Sequence, residues 1–505
     1  MPESLAADVV ILGLGPVGSV VAGLLAKNDV SVVGLDKLQD VFPLPRAAHI
    51  DHTALRTIQE IGCLDPLLAD MIENPGIDFV TADGTVLAQI QGIGPNPSNL
   101  PASMYFHQPG FDRTVRDTVA ALPGVDLRLG VEVTGVEQTA DGVVVRGTSD
   151  SGAEIEVTGR YVVAADGASS PVREALGIQL IDLEFHERWL VVDLVLHEPI
   201  PGLPDRAVTY LDPERPLGFV PMPGLRCRFE LMLFEDEDTA TMQDQAVVGE
   251  LVSKWIPVGK ADLERSAVYY FHGLVAQPWR AGRVLLAGDA AHQMPPFLGQ
   301  GMNSGLRDST NLAWKLARVV HGQSPDSLLD TYELERSPHV RSIVESSVRI
   351  GKVVCILDQQ EAARRDELFI ADPSSLTSTL AFRLPLLLPG ALVLEGGGQL
   401  AMQALSDDGT RRFDDVVGER FLVLARDEAA LDDSVDWWTD ELGALVATPE
   451  AFPEFAASLL GWLDRLRADV VVVRPDRYIL AAGQRLQGIA EQLRSVLTPP
   501  VSKES

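Results

Sequence analysis

Cysteine is scarce and unpaired in this sequence. Cys63, Cys227 and Cys355 stand far apart, and their odd number builds no disulfide framework. The nine histidines are scattered, with no H-x-x-x-H and no paired cysteines beside them, so no metal site is read. Basic residues are in deficit. With 41 Lys and Arg against 72 Asp and Glu, the formal charge of −31 argues against nucleic acid or an anionic membrane surface as partner. An anionic substrate would need a local basic site against that field. Long apolar runs are missing too. The first is short, follows Asp8 and continues into a glycine motif, so no signal peptide is expected. The run over residues 384–394 contains Pro385 and Pro389 and is too short to span a bilayer. These absences leave a reduced, cytoplasmic protein with no membrane span. Its 505 residues exceed one domain, and 46% hydrophobic with 22% charged residues is ordinary for a soluble enzyme.

What is present centres on residues 283–317, RVLLAGDAAHQMPPFLGQGMNSGLRDSTNLAWKLA. A buried-strand run ends at Gly288-Asp289, and Pro295, Pro296, Gly299 and Gly301 then break regular structure. From about Met302 and Asn303 the apolar positions return at helical spacing. A carboxylate at a strand end, a glycine-rich turn and a helix N-terminus suit a ligand with hydroxyls and an anionic end. Taken alone, the Gly-Asp pair could equally cap a turn.

Two further motifs give it partners. Asp8 opens a buried run, followed by Gly13-Leu-Gly15-Pro16-Val17-Gly18, a helical pattern through Lys27, and a second strand ending in Asp36-Lys37. This is the dinucleotide fingerprint in its proper strand–turn–helix context. Its glycines admit a pyrophosphate, and its acidic residue binds a ribose hydroxyl pair. Residues 161–166 form another buried strand ending in Asp166-Gly167, with Ser170 and Arg173 downstream.

In this order the three motifs resemble the flavoprotein aromatic hydroxylases, the single-component FAD-dependent monooxygenases. Within them the chain looks most like 3-(3-hydroxyphenyl)propionate (3-hydroxycinnamate) hydroxylases. The supporting segments are ERWLVVD, YLDPERP, RVLLAGDAAHQMP, LGQGMNSGLRDSTNLAWKLA, LLDTYELER and VVVRPDRY. The resemblance implies FAD held by Gly13, Gly15, Pro16, Val17, Gly18, Asp36, Lys37, Arg46, Asp166, Gly167, Gly288, Asp289, Pro296, Gly299, Gly301, Met302 and Asn303, with Gln108 or Arg113 also on the cofactor. It implies NADH or NADPH as a transient reductant, since only one fingerprint is visible. Oxygen would add at C4a of the flavin, and the hydroperoxide would pass a hydroxyl to a phenol ring at the ortho position. The small partners are thus a phenol and O₂, with a phenylpropionate-like acid of aromatic catabolism as the expected substrate. A tailoring hydroxylase of a larger polycyclic phenol, or a flavin-binding protein without turnover, are the alternatives.

Deprotonating the phenol would raise its nucleophilicity, so a base within hydrogen-bond reach is expected. His49, His52 and Tyr210 are the candidates. The family pattern has Gly-Ile-Asp-Asp where this chain has His49-Ile50-Asp51-His52, so both histidines are departures, open to proton handling or to a solvated helix start. His292 belongs to its motif and reads as structural. Arg226 and Arg228 share one face of a strand. They could anchor a substrate carboxylate or form a solvated sheet face.

The expected fold is α/β with α+β insertions. A Rossmann-like FAD-binding domain spans residues 1–177 and is completed by 281–355. Residues 126–136, 142–148 and 154–157 contribute antiparallel strands inserted before the Asp-Gly motif. A substrate-binding, mostly antiparallel sheet covers 178–280. A linker covers 356–400, and a thioredoxin-like domain covers 401–505. That last domain lacks C-x-x-C, which excludes a dithiol role and leaves packing or homodimer formation.

Overall fold

The computed structural model describes residues 3–372, 380 and 382–499. Its first layer is a six-stranded sheet in the order Arg280–Ala281, Val284–Leu286, Tyr161–Ala164, Val9–Leu12, Val32–Asp36, Val125–Leu129. Val9–Leu12 lies at its heart, parallel to both neighbours, with Val10 opposite Val33 on one side and Val162 on the other. Every residue of Val9–Leu12 and Tyr161–Ala164 is buried, the pattern of strands covered on both faces. Val284–Leu286 returns after the inserted chain and pairs parallel with Tyr161–Ala164. Two helices meet over this sheet, Pro16–Lys27 and Gly301–Val320. Their crossing is close because Gly305 has no side chain: a Cβ there would stand 2.5 Å from Val17 Cγ2.

One expectation about this layer is corrected. Val125–Leu129 is not part of an inserted hairpin but the edge of the main sheet, parallel to Val32–Asp36. Its residues are all half-buried, which hides the apolar run that marks an interior strand. The insertion itself contributes Val131–Gln138, Val143–Ser149 and Glu154–Gly159 to a four-stranded sheet that Glu3–Ala6 completes.

The second layer is an eight-stranded sheet, antiparallel apart from one pairing. Its backbone is two long strands, Gln179–Leu196 and Ala261–Gln277, with Arg226–Met232, Leu217–Pro221 and Ala207–Tyr210 beyond. The sheet reaches outside residues 178–280. Gly76–Val80 joins it parallel to Ala207–Tyr210, and Val86–Gln91 forms its far edge. Leu190, Val192, Leu217, Phe229 and Leu231 give its outer face a core of its own.

Beyond helix Asp330–Val354, part of the stretch expected to be irregular is helical. Asp358 caps helix Gln359–Ala371 by accepting from the N–H groups of Gln360 and Glu361, and Ala362, Arg365 and Phe369 form its buried face. Residues 373–379 and 381 of the expected linker lie outside the described residues.

The C-terminal unit has the strand order Leu445–Ala447, Leu422–Ala425, Val470–Val473, Ile479–Gly483. The first pairing is parallel and the others antiparallel, with helices Ala456–Leu466 and Ile489–Leu497 alongside, as a thioredoxin-like unit requires. A buried polar network ties it to the cofactor-side helices. Arg474 donates to Glu335 at 2.9 and 2.8 Å and pairs with Asp476, while Lys315 donates to Glu335 at 2.9 Å. Among the described residues, no helix is long and apolar enough to cross a membrane.

Candidate active site between the two sheets

A cavity of about 660 Å³ lies between the layers. All three motifs contribute to its lining: Gly15, Pro16 and Val17 from the first, Ala165 and Gly167 from the second, and Asp289, Pro296, Gly299, Gly301 and Met302 from the third. The fingerprint glycines divide by purpose. Gly13, at φ +88°, abuts the second motif: a Cβ would stand 2.5 Å from the Ala165 carbonyl oxygen. A Cβ on Gly18 would stand 1.9 Å from the Gly13 oxygen. Gly15 has no chain atom within 4 Å of its would-be Cβ, yet it lines the cavity. Its missing side chain leaves room for a ligand rather than for the protein.

Both helices that open here, Pro16–Lys27 and Gly301–Val320, lack a side-chain cap. Their free N–H groups and dipoles therefore remain available to anionic groups. Asp36 accepts from the N–H groups of Leu14 at 2.7 Å and Leu38 at 2.8 Å, which fixes the strand end beneath the turn. Asp289 is exposed on its 3-10 turn and lines the cavity, so a carboxylate faces the space where hydroxyls would lie. These features fit a dinucleotide with its pyrophosphate at the first helix and an electron-accepting ring at the second.

Other expected residues support the cradle from behind. Gln108 lines the cavity and its Oε1 accepts from the N–H groups of Arg46 and Ala47 at 2.7 and 2.6 Å, so it shapes the Arg46 loop. Arg46 also lines the cavity, its guanidinium 5.0 Å from the Phe42 ring centroid. Asp166 accepts from Val172 N–H at 3.3 Å, and burial pushes its carboxyl above the usual range. Gly288 donates its N–H to Asp308, which also holds His292 at 2.6 Å and Arg336 at 2.9 Å. His292 is thus fully buried in structural contacts. Asn303 ties the third motif to the Arg46–Asp51 segment: it donates to the Gly299 carbonyl at 2.7 Å and accepts from Asp51 N–H at 3.0 Å.

Gly13, Gly18, Asp36, Asp166, Gly288 and Asn303 stand behind the lining, and four more residues singled out in the sequence lie away from the cavity. Lys37 is exposed. Arg113 pairs with Asp40 at 3.0 Å on the surface. Tyr210 turns to the outer core, where Trp255 Nε1 donates to its hydroxyl at 3.2 Å. Arg226 pairs with Glu264 at 3.1 Å. Arg228 does line the cavity, but neither as a solvated side chain nor as a free anchor. It is buried, donates from Nε to Asp193 at 2.7 Å, and holds the carbonyls of Arg46 and Pro45 at 2.8 and 2.7 Å. Its charge is neutralised and its fork clamps the loop that borders the cavity.

The opposite wall is apolar, with Ile77, Phe79, Ile90, Trp189, Val208, Phe219 and Val220 from the large sheet and Phe297 facing them. Trp189 and Phe297 meet edge-on at 5.6 Å. Into this wall project polar groups that the sequence did not single out: Asn74, Ser103 and Tyr105. The Tyr105 hydroxyl is buried, and burial pushes its ionisation upward. Ser103 Oγ lies 2.6 Å from His49 Nε2 and accepts from Asn74 Nδ2 at 2.8 Å. His49 Nδ1 reaches the Gly299 carbonyl at 3.2 Å. His52 also lines the cavity and bonds Ser98 Oγ at 2.9 Å. Burial lowers both imidazoles below their usual range, with Asp51 opposing. Burial alone would raise the Asp51 carboxyl, but Arg307 and His52 overcome it and hold it far below the carboxylate range.

The chain resembles known proteins over almost all its length. It is 35% identical to the probable NADH-specific resorcinol 4-hydroxylase of Rhodococcus jostii (strain RHA1), covering 99% of this chain and 96% of that one. It is 33% identical to the 3-(3-hydroxy-phenyl)propionate/3-hydroxycinnamic acid hydroxylase 2 of Burkholderia vietnamiensis (strain G4 / LMG 22486), covering 94% and 93%. Among solved structures it superposes on the flavin-dependent monooxygenase PieE, in complex with FAD and substrate, with a TM-score of 0.81. That match is 22% identical and covers 98% of this chain and 100% of the other. The FAD binding domain profile matches residues 6–347, the stretch that carries all three motifs and both uncapped helix starts. This chain therefore belongs to the FAD binding domain family.

Proposed function

We propose that this protein is an FAD- and NAD(P)H-dependent monooxygenase that hydroxylates a single-ring phenol, ortho to its hydroxyl. The observation that carries the reading is one cavity with a dinucleotide cradle on one side and an aromatic wall on the other. FAD, when bound, supplies electron transfer from the nicotinamide and the activation of O₂. The residues of the chain do the rest. Gly15 and the first helix start admit the pyrophosphate. The Gly301–Met302 helix start favours negative charge on the reduced ring. Trp189, Phe79 and Phe297 pack the substrate ring and exclude water.

The substrates named in the two relatives share one feature, a phenolic ring with a second substituent meta to the hydroxyl. That supports a meta-substituted phenol here, whether the second group is a hydroxyl or an acidic side chain. A cytoplasmic setting belongs to the same proposal. The test is to purify the yellow protein and record NADH and NADPH oxidation beside hydroxylated product for resorcinol and 3-(3-hydroxyphenyl)propionate. Coupled product from either supports the reading. Stimulation by fused polycyclic phenols alone would replace it with the tailoring hydroxylase, and colourless protein unable to take up FAD would end it.

A further inference from the structure

We propose that Ser103 and His49 form a two-step relay that removes the proton from the substrate's phenolic hydroxyl. The proposal rests on the reading above, because it needs a phenol in the cavity.

The hydrogen bonds set every proton in this relay except the one that moves. The Gly299 carbonyl can only accept, so the bond at 3.2 Å places a hydrogen on His49 Nδ1. Neutral imidazole then has its lone pair on Nε2, which is 2.6 Å from Ser103 Oγ. Ser103 must therefore donate to His49. Asn74 is oriented by its own backbone contact, since its Oδ1 accepts from Gly76 N–H at 2.8 Å and only its Nδ2 can face Ser103. That leaves one lone pair of Ser103 Oγ for a donor from the cavity. A phenol is such a donor. Its O–H bond breaks toward Ser103 Oγ as the Ser103 O–H bond breaks toward His49 Nε2. The products are phenolate, a re-formed serine hydroxyl and an imidazolium donating from both nitrogens.

Burial disfavours the imidazolium, and a carboxylate close by offsets part of that cost. Asp51 faces His49 and favours imidazolium, while Arg307 opposes it but is itself paired with Asp51 at 2.5 Å. His52 lies against the same carboxylate. Gly299 also shapes the arrangement, since a Cβ there would stand 2.8 Å from His49 Nδ1. The ring is thus packed under the turn that leads into the Gly301–Val320 helix.

The test uses the FAD-loaded enzyme and resorcinol, with phenolate read from ultraviolet difference spectra across pH. The wild type should form bound phenolate well below the pH of about 10 at which a free phenol ionises. Ser103→Ala and His49→Gln should return the midpoint upward by at least one pH unit and slow hydroxylation about 100-fold. Flavin reduction by NADH should stay within about threefold, and Ser103→Thr, which keeps the hydroxyl, should restore the low midpoint. Phenolate formation unchanged in a folded, yellow Ser103→Ala protein overturns the relay alone. A wild type that neither binds resorcinol nor oxidises NADH faster in the presence of any phenol overturns the functional reading and the relay with it.

Discussion

Arg228 and Asp193 form a buried bidentate pair, Nε to Oδ1 at 2.7 Å and Nη2 to Oδ2 at 3.2 Å, and the same guanidinium holds two carbonyls of the Arg46 loop. The large sheet and the cofactor loop are thus joined by one side chain. Arg228→Ala would leave Asp193 to the longer contact with Arg265 at 3.3 Å, and removing one partner of a buried pair costs about 3–5 kcal/mol. A lower thermal midpoint and reduced FAD content are expected together. An unchanged midpoint would show that the clamp is dispensable.

The fingerprint glycines should separate by substitution. Gly18→Ala sets a Cβ 1.9 Å from backbone and should abolish folding, whereas Gly15→Ala meets no chain atom. Gly15→Ala should therefore fold with a near-normal midpoint as apoprotein and bind FAD at least about tenfold more weakly, or roughly 1.4 kcal/mol. Equal FAD affinity in the folded Gly15→Ala protein would mean that no ligand approaches this turn.

The network that docks the C-terminal unit makes stability acid-sensitive. Burial would raise the Glu335 carboxyl, but Arg474 and Lys315 outweigh it and hold it down at about 2. Burial prevails at Lys315, whose ammonium is pushed down to about 8, so Arg474 is the stronger partner. A carboxyl lowered on folding stabilises above its unfolded value near 4.5 and loses that contribution as pH falls toward 2. The loss approaches ~3 kcal/mol at about 1.4 kcal/mol per pH unit. Urea unfolding between pH 5 and pH 3 should show this slope, and Glu335→Gln should flatten it at the cost of lower stability at neutral pH. A slope unaltered by that substitution would assign the acid sensitivity elsewhere.

Much of the cofactor side was legible because its signals are local. Strand, turn and helix follow one another around Gly13–Gly18, and the third motif repeats the layout at Gly288–Met302. The C-terminal strands were legible for the same reason, each being a compact apolar run such as Val470–Val473. What escaped depends on pairing across distance. Val125–Leu129 looked like part of a hairpin because only its parallel register with Val32–Asp36 reveals it as an edge. Ser103 gave no sign because its partner, His49, is 54 residues away and their contact exists only where the strands His49–Asp51 and Ser103–Tyr105 pair. Arg226 and Arg228 share a strand, yet one meets Glu264 and the other Asp193, partners that alternation along one strand cannot name. Tyr210 was drawn outward by Trp255, a residue of another segment altogether.

The late return of Val284–Leu286 to the main sheet has a consequence for biosynthesis. Until that segment leaves the ribosome, Tyr161–Ala164 presents a bare row of amide and carbonyl groups on its outer side, a template for unwanted pairing. The helix Gly301–Val320, which packs against the first helix over the sheet, emerges later still. A nascent chain stalled before residue 320 would thus have translated its nucleotide fingerprint long before it could retain a nucleotide, and would depend on chaperones to shield that open flank.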